Sequence, residues 1–486
     1  MAHRRRVLRV AAVVGAVTLA CAGAAGPSPQ PRGPERPNIV YVLTDDLSAN
    51  LVPYMPHVQA MAREGAAFSN YSVTDSLCCP SRSTIMTGRF PHNTGVFTNT
   101  APDGGYGVFR DRGNEQHTFA TALRAQGYRT GMYGKYMNEF PAGREDPPVP
   151  AGWNQWHVSD NGYPEYDYVM DENARRVHYG SKPRDYLTDV VAAKSERFIR
   201  RNAGAAPFLL EVATFAPHEP FTPAPRHDDS FPGLKAPRGP DFDRVPENSP
   251  PWLADREPLR PDQRREIDES FRERVRSVQA VDEMIGRLQR TLAATGQDRN
   301  TYFVFNSDNG YHLGEHRLPS GKQTAFDTDV RVPLVVTGPG VPAGRRIPEV
   351  ASNIDLSPTF QDMAGAAPPR EVDGRSLLPL LRGENPPGWR TAALVEHHGP
   401  NRNPADPDRP AEDSANPPTY TALRTDRFTY VEYVDGGREF YDRSTDPDQL
   451  HNTYAALPES TQDDLHRRTG ELRRCRGTES CERAAR

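Results

Sequence analysis

The chain has 486 residues, 59 Lys and Arg against 64 Asp and Glu, and a formal net charge of −5. That length exceeds one simple core and suits a large domain with a smaller companion. The two signs of charge are interspersed, which argues against a nucleic-acid partner or a basic membrane-binding face; the charge of any substrate has to be read from a site.

Residues 1–25 open with Arg4-Arg5-Arg6, pass through an apolar run between Val10 and Ala20, and end in small residues at Ala22-Gly23-Ala24, the layout of an export signal. The apolar run is too short for a hydrocarbon core of ~30 Å, and no later run is long enough, so an exported protein (secreted, periplasmic or at the cell surface) without a transmembrane span is expected. Cys21, after Val17-Thr18-Leu19-Ala20, imperfectly resembles a lipoprotein cleavage box, which makes a lipid anchor at Cys21 the alternative; the consecutive arginines faintly resemble a twin-arginine signal. Residues 26–36 are rich in Pro and Gly and read as a linker.

Order then begins abruptly. Asn38-Ile39-Val40-Tyr41-Val42-Leu43-Thr44 is a continuous β-branched and apolar run of the kind buried on both faces of a sheet, and it ends in Asp45-Asp46. Residues 56–64 and 118–126 carry short amphipathic helical patterns stopped by Gly65 and Gly127, the second leading into a strand at 128–133. Residues 186–201 read as helix followed by a strand at 207–215, and 262–294 as a long helix followed by a strand at 301–306. This alternation predicts an α/β domain over 37–380.

The Pro-, Asp- and Gly-dense stretch 217–261 reads as a long surface excursion, a common way to build a pocket rim. In the C-terminal region, 381–486, a Pro/Asn/Asp-rich run at 399–418 precedes strand-like runs at 419–425 and 427–434. A small antiparallel sheet with a closing helix near 459–474 is expected there.

Five cysteines are present. Cys475 and Cys481 stand close together with no histidine or further cysteine nearby to favour a metal site, so a local disulfide in an oxidising compartment is expected. That leaves Cys78-Cys79 to chemistry, to burial or to a strained vicinal disulfide.

Two acidic groups end apolar runs in the same way. Ligands of open α/β sheets gather at the carboxyl ends of strands, and adjacent carboxylates such as Asp45 and Asp46 raise each other's pKa unless a cation neutralises them. Asp308 and Asn309, in Ser307-Asp308-Asn309-Gly310, add a carboxylate and an amide oxygen at a second strand end, so a hard divalent ion is the natural partner. Lys135, His218 and Lys322 follow strand-like or loop segments; taken singly, each reads as an ordinary surface group. His312 and His316 lie beside the acidic pair, with His312 a candidate to line the pocket.

Cys78-Cys79-Pro80-Ser81-Arg82, followed by Ser83-Thr84-Ile85-Met86-Thr87-Gly88-Arg89, resembles the Cys-x-Pro-Ser-Arg…Thr-Gly signature of the type I, formylglycine-dependent sulfatases. Further matching motifs run in family order from Pro37-Asn38-Ile39-Val40 through Asn353-Ile354-Asp355 and Asp373-Gly374-Arg375 to Tyr441-Asp442-Arg443. Gly134-Lys135-Tyr136-Met137-Asn138-Glu139 and the segment from Ser307 to Gly314 look most like N-acetylglucosamine-6-sulfatase-like and arylsulfatase members. The resemblance implies an alkaline-phosphatase-like fold: a large mixed sheet flanked by helices, with a small C-terminal antiparallel subdomain.

It also implies that a formylglycine-generating enzyme oxidises Cys78 to formylglycine (3-oxoalanine), reading Pro80 and Arg82 as it does so. Asp45, Asp46, Asp308, Asn309 and residue 78 would then hold Ca2+, with Mg2+ as the alternative, while Lys135, His218 and Lys322 bind sulfate and Arg82 steadies the hydrate or a metal carboxylate. The implied reaction is hydrolysis of a sulfate monoester, on a sulfated sugar such as glucosamine-6-sulfate or on an aryl sulfate. Attack by a hydroxyl of the hydrated residue 78 precedes release of inorganic sulfate, with His218 or a lysine aiding alcohol departure. Many arylsulfatases carry a histidine where this chain has Met137, and Asn138 is the candidate to replace its contact. Two alternatives stand beside this: a phosphate or phosphonate ester hydrolase of the same superfamily, and a sulfated-glycan binder in which Cys78 stays unconverted.

Overall fold

The apolar run at the start becomes strand β1 (Asn38–Thr44), every residue of it buried, in a computed structural model that describes Met1 and residues 36–142, 149–404, 406, 408–411 and 414–486. The expected export signal, nearly all of the linker, and Cys21 lie outside the described residues. β1 is followed by β2 (Ala66–Phe68), the two-residue β3 (Tyr71–Ser72), β4 (Arg129–Gly134), β5 (Gln155–Ser159), β6 (Tyr168–Glu172), β7 (Arg176–Tyr179) and β8 (Phe208–Ala213). Then come β9 (Thr301–Ser307), β10 (Leu334–Thr337), β11 (Arg345–Ile347) and β12 (Ala351–Ser352). Ten of these form one sheet in the order β11-β2-β10-β9-β1-β8-β4-β5-β6-β7, and β3 pairs with β12.

The centre of the sheet is parallel: β9, β1, β8, β4 and β5 all run the same way, with Val42 level with Phe305 on one side and Val212 on the other. Strand period two explains why these runs are apolar throughout. Val40 and Val42 of β1, Leu210 and Val212 of β8, and Phe303 and Phe305 of β9 enter one core, packed under the long helix Pro261–Ala294 through Phe271, Val275, Val278 and Ile285. Ile39, Tyr41 and Leu43, with Leu209 and Val304, enter the core on the opposite face, beneath the helices Phe119–Ala125 and Leu356–Met363.

The helix and strand readings at 56–64, 118–133, 186–215 and 262–306 hold to within a few residues. The antiparallel extension β5-β6-β7 has no counterpart in the sequence reading, because its strands are short, polar-interrupted edge segments such as Arg176–Tyr179. The excursion at 217–261 is mostly irregular, as expected, but Phe221, Ala224, Ala236 and Leu253 are buried and pin it to the body.

At the C-terminus, β13 (Ala392–His397), β14 (Tyr420–Thr425), β15 (Phe428–Tyr433) and β16 (Arg438–Asp442) form a separate four-stranded antiparallel sheet. The expected middle pair is present, and two further strands flank it. Val395, Ala422 and Val431 face the main body, while Leu394, Leu423 and Tyr430 pack against Leu465 and Leu472 of the closing helix Glu459–Leu472. Cys475 and Cys481 form the expected disulfide in that second cluster. Residues Arg36–Arg486 form one compact unit.

Candidate active site

Four adjacent parallel strands, in the order β9-β1-β8-β4, end at the same edge of the sheet, and each delivers polar side chains there. β1 runs into Asp45 and Asp46, β9 into Asp308 and Asn309, β4 into Lys135, and β8 leads through Phe215 to His218. Helix α1 (Pro56–Glu64) lies on one flank; helix α2 (Cys78–Thr87) begins at the site itself. Cys78 is therefore the first residue of a helix, held over the strand ends and fully buried.

The Cys78 Sγ donates to Asp45 Oδ1 at 3.2 Å and accepts from Lys322 Nζ at 3.0 Å. Burial, with Asp408 and Asp45 nearby, pushes its thiol well above the usual range. A protonated thiol is a poor nucleophile. Cys79 points elsewhere: its backbone N donates to Asn99 Oδ1 at 2.9 Å, it belongs to the hydrophobic core, and burial pushes its thiol up to about 12. Both cysteines are free, so the vicinal disulfide does not form.

Asp45, Asp46 and Asp308 each offer a carboxylate oxygen within 4.8 Å of the others. Asn309 Nδ2 donates to Asp46 Oδ1 at 2.6 Å, which leaves Asn309 Oδ1 buried without a partner. Burial and the Asp45 charge push Asp308 up to about 7. Packed carboxylates and an orphaned amide oxygen are an all-oxygen donor set that suits a hard divalent cation. Asp46 occupies the left-handed region with φ 63°, and Arg274 Nη2 fixes that turn by donating to the Asp46 carbonyl at 2.6 Å.

Cations surround this cluster. Arg82 Nε donates to Asp308 Oδ2 at 2.8 Å, and its Nη2 lies 3.8 Å from Asp45 Oδ1. Lys135 Nζ donates to Asp45 Oδ2 at 2.5 Å, and Lys322 Nζ to Asp46 Oδ1 at 2.6 Å. Burial disfavours the charged form of His218, but Asp46, Asp408 and Asp45 outweigh it and raise its pKa. His218 Nδ1 donates to the Glu219 carbonyl at 2.8 Å, so Nε2 faces the site. The structure thus brings Asp45, Asp46, Cys78, Arg82, Lys135, His218, Asp308, Asn309 and Lys322 into one buried cluster.

The two remaining candidates stand behind it. His312 Nδ1 sits 2.9 Å from Asp329 Oδ1, and its backbone exchanges hydrogen bonds with Gly321, so it braces the loop that carries Lys322. Asn138 Nδ2 donates to Tyr163 Oη at 3.3 Å, and that ring lies 4.9 Å from Lys135 Nζ. His316 stacks on Phe326 away from the cluster, and burial pushes it down to about 3.

One contributor went unread in the sequence. Asp408, between β13 and β14, is buried beside His218, Lys322 and Asn99. It lies in the Pro/Asn/Asp-rich run that composition assigns to a loop, and nothing local distinguishes it from Asp406. A cavity of about 340 Å³ opens from the cluster, lined among others by Glu219, Tyr311, Gln323 and Arg409.

The sulfatase family profile matches residues 37–366, and a profile described as N-sulphoglucosamine sulphohydrolase, C-terminal, matches residues 314–475. Human N-acetylglucosamine-6-sulfatase is 34% identical over 92% of this chain and 86% of its own length. A protein solved in complex with its substrate D-glucosamine-2-N,6-O-disulfate superposes with a TM-score of 0.74 at 25% identity, covering 90% of this chain and 97% of that one. The phosphonate monoester hydrolase of Agrobacterium radiobacter shares the fold, with a TM-score of 0.69 at 21% identity over 90% of this chain and 95% of its own. With its alkaline-phosphatase-like mixed sheet and its separate antiparallel C-terminal sheet, this chain belongs to the sulfatase family and is a sulfuric ester hydrolase.

Proposed function

We propose that this protein hydrolyses the sulfate ester of a sulfated sugar of the glucosamine-6-sulfate type, using formylglycine made from Cys78 and a calcium ion. One observation carries the reading: an ammonium (Lys322) and a carboxylate (Asp45) meet at the Sγ of a buried cysteine on a helix start, beside three converging carboxylates. The names of the relatives support the sugar. Maturation by a formylglycine-generating enzyme and export belong to the same reading.

Asp45, Asp46, Asp308 and Asn309 would hold the ion together with residue 78, and the three converging carboxylates, more than magnesium usually takes from a protein, favour calcium. Formylglycine would supply, as its hydrate, two hydroxyls on one carbon, one a nucleophile toward sulfur and the other the source of the electrons that expel sulfate. The chain's own groups do the rest. Lys135 and Lys322 pair with the developing charge on the sulfuryl oxygens, and being held by carboxylates in advance they need little reorganisation. His218, whose pKa its acidic neighbours raise against the effect of burial, would present Nε2–H toward the leaving oxygen and give it a proton. Arg82, clamped on Asp308 and near Asp45, keeps the carboxylates in place for the ion. Glu219, Tyr311 and Arg409 on the cavity wall are groups that hydrogen-bond a sugar.

The test uses protein whose conversion at residue 78 has been verified by mass spectrometry, assayed for sulfate release from glucosamine-6-sulfate, an aryl sulfate and a phosphonate monoester. Cys78→Ala abolishes release and Cys79→Ala retains it. Equal loss in both variants, or faster turnover of the phosphonate than of either sulfate, would sink the proposal.

A further inference from the structure

Asp408 occupies the anion-binding centre of the site. Its Oδ1 accepts from His218 Nε2 and from Lys322 Nζ, both at 2.7 Å. Its Oδ2 accepts from Asn99 Nδ2 at 2.5 Å and lies 3.5 Å from Cys78 Sγ. The loop behind it is anchored: the Asp408 backbone N donates to Asp406 Oδ1 at 3.0 Å, and Gln323 Nε2 donates to the Asp408 carbonyl at 2.9 Å. Asn99 ties this carboxylate to the nucleophile helix, since its Oδ1 accepts from the backbone N of Cys79.

A reacting sulfur must come within ~3–3.5 Å of the attacking atom at residue 78. Its oxygens must then take donors from Lys322 and His218. The Asp408 carboxylate already takes both of those donors and already stands at that distance from position 78. Two anions cannot share this space, because like charges at contact repel strongly in a water-poor site.

We propose that Asp408 is an internal competitor for the sulfate subsite, a specificity-determining carboxylate that a sulfate ester displaces on binding and that reclaims Lys322 and His218 as inorganic sulfate leaves. The inference rests on the sulfatase reading above. It has a charge consequence. A sulfate monoester carries one negative charge and exchanges for the carboxylate without changing the charge of the pocket. Free sulfate carries two, so its exchange adds a negative charge to the pocket, while the carboxylate stays tethered nearby in either case. Asp408 therefore discriminates against dianions, including the product of the reaction and phosphate monoesters.

Asp408→Asn keeps the shape and removes the charge. Binding of inorganic sulfate is measured by calorimetry on protein that retains Cys78 as cysteine, so the readout does not depend on turnover, and product inhibition by sulfate is measured on converted protein. The expected result is sulfate binding tighter by on the order of tenfold in Asp408→Asn, with a matching fall in the sulfate inhibition constant. Asp408→Ala moves both constants in the same direction. Unchanged or weaker sulfate binding in both variants, with a fall in kcat, would make Asp408 a positioning group for His218 and overturn the proposal. Absence of sulfate binding in the parent and in both variants would overturn the sulfate-site reading itself.

Discussion

Lys322 makes three contacts through one ammonium, to Asp46 Oδ1, Asp408 Oδ1 and Cys78 Sγ. Burial opposes its charge, yet Asp408 and Asp46 outweigh that and keep it protonated far above the usual range. A lysine so placed is a fixed positive charge at the reacting atom, whereas Lys135 meets Asp45, which itself accepts from Cys78 Sγ. Lys322→Ala should lower kcat/KM for a sulfate ester by on the order of 10²–10³, as loss of one preorganised donor does, and Lys322→Arg should not restore it, because the planar fork cannot meet three acceptors arranged about a point. Steady-state sulfate release checks this; a loss under about tenfold for Lys322→Ala would remove the lysine from the anion site. Nothing in the sequence marks Lys322 on physical grounds alone: it stands in a loop after Leu318-Pro319-Ser320-Gly321, and only its position relative to the Asp-Asn pair in a family pattern singles it out. Asp408 had no such pattern. Its role depends on a contact spanning 190 positions to His218, and local composition carries no trace of that.

At the scale of elements, helix α2 turns a motif into a geometry. All ten of its residues are buried although five are Ser, Thr or Arg, so its polar side chains need partners inside the protein. Thr84 Oγ1 meets Thr74 Oγ1 at 3.1 Å, Thr87 Oγ1 donates back to the Ser83 carbonyl at 2.7 Å, and Ser81 Oγ donates to the Asp308 carbonyl at 2.5 Å. The last bond ties the helix start to the metal-facing turn. The helix stops at Gly88 in the left-handed region, φ 70°, where a Cβ would lie 2.9 Å from Val372 Cγ1 and 3.2 Å from the Ile354 carbonyl oxygen. Gly88→Ala should therefore cost on the order of 1–2 kcal/mol from backbone conformation alone. Crowding against Val372 adds to that. A denaturant midpoint unchanged from the parent would show that the chain relaxes around the methyl group. In the sequence, the pattern from Ser83 to Thr87 suggests a helix that begins at the motif. The hairpin β5-β6-β7 was not legible there, since its strands are four and five residues long and take their place from sheet pairing rather than from an apolar run.

For the whole molecule, the alternation of helix and apolar strand was enough to read an α/β body, because strands buried on both faces leave a continuous apolar signature. What that alternation could not convey is how the C-terminal sheet is tied to the body, because beside the apolar contact of Val395, Ala422 and Val431 part of the tie is ionic and long-range. Asp327, at the start of a short helix five residues beyond Lys322, accepts from Arg424 Nε at 2.9 Å and Nη2 at 3.1 Å, and from Arg443 Nη2 at 2.9 Å. Arg424 belongs to β14 and is fully buried; Arg443 directly follows β16. Burial alone would raise the Asp327 carboxyl, but Arg424 and Arg443 outweigh it and hold it well below the usual carboxylate range. A depressed folded-state pKa contributes stability that is complete above the unfolded value of ~4 and is lost as pH falls through the folded one. Asp327→Asn leaves two guanidinium groups without their carboxylate and should cost on the order of 3 kcal/mol at neutral pH. Because the substituted side chain no longer titrates, the melting temperatures of parent and variant should converge as pH drops below about 4. A pair of melting curves that stay parallel from neutral pH into acid would mean that Asp327 is not the carboxylate that locks the C-terminal sheet against the loop carrying Lys322.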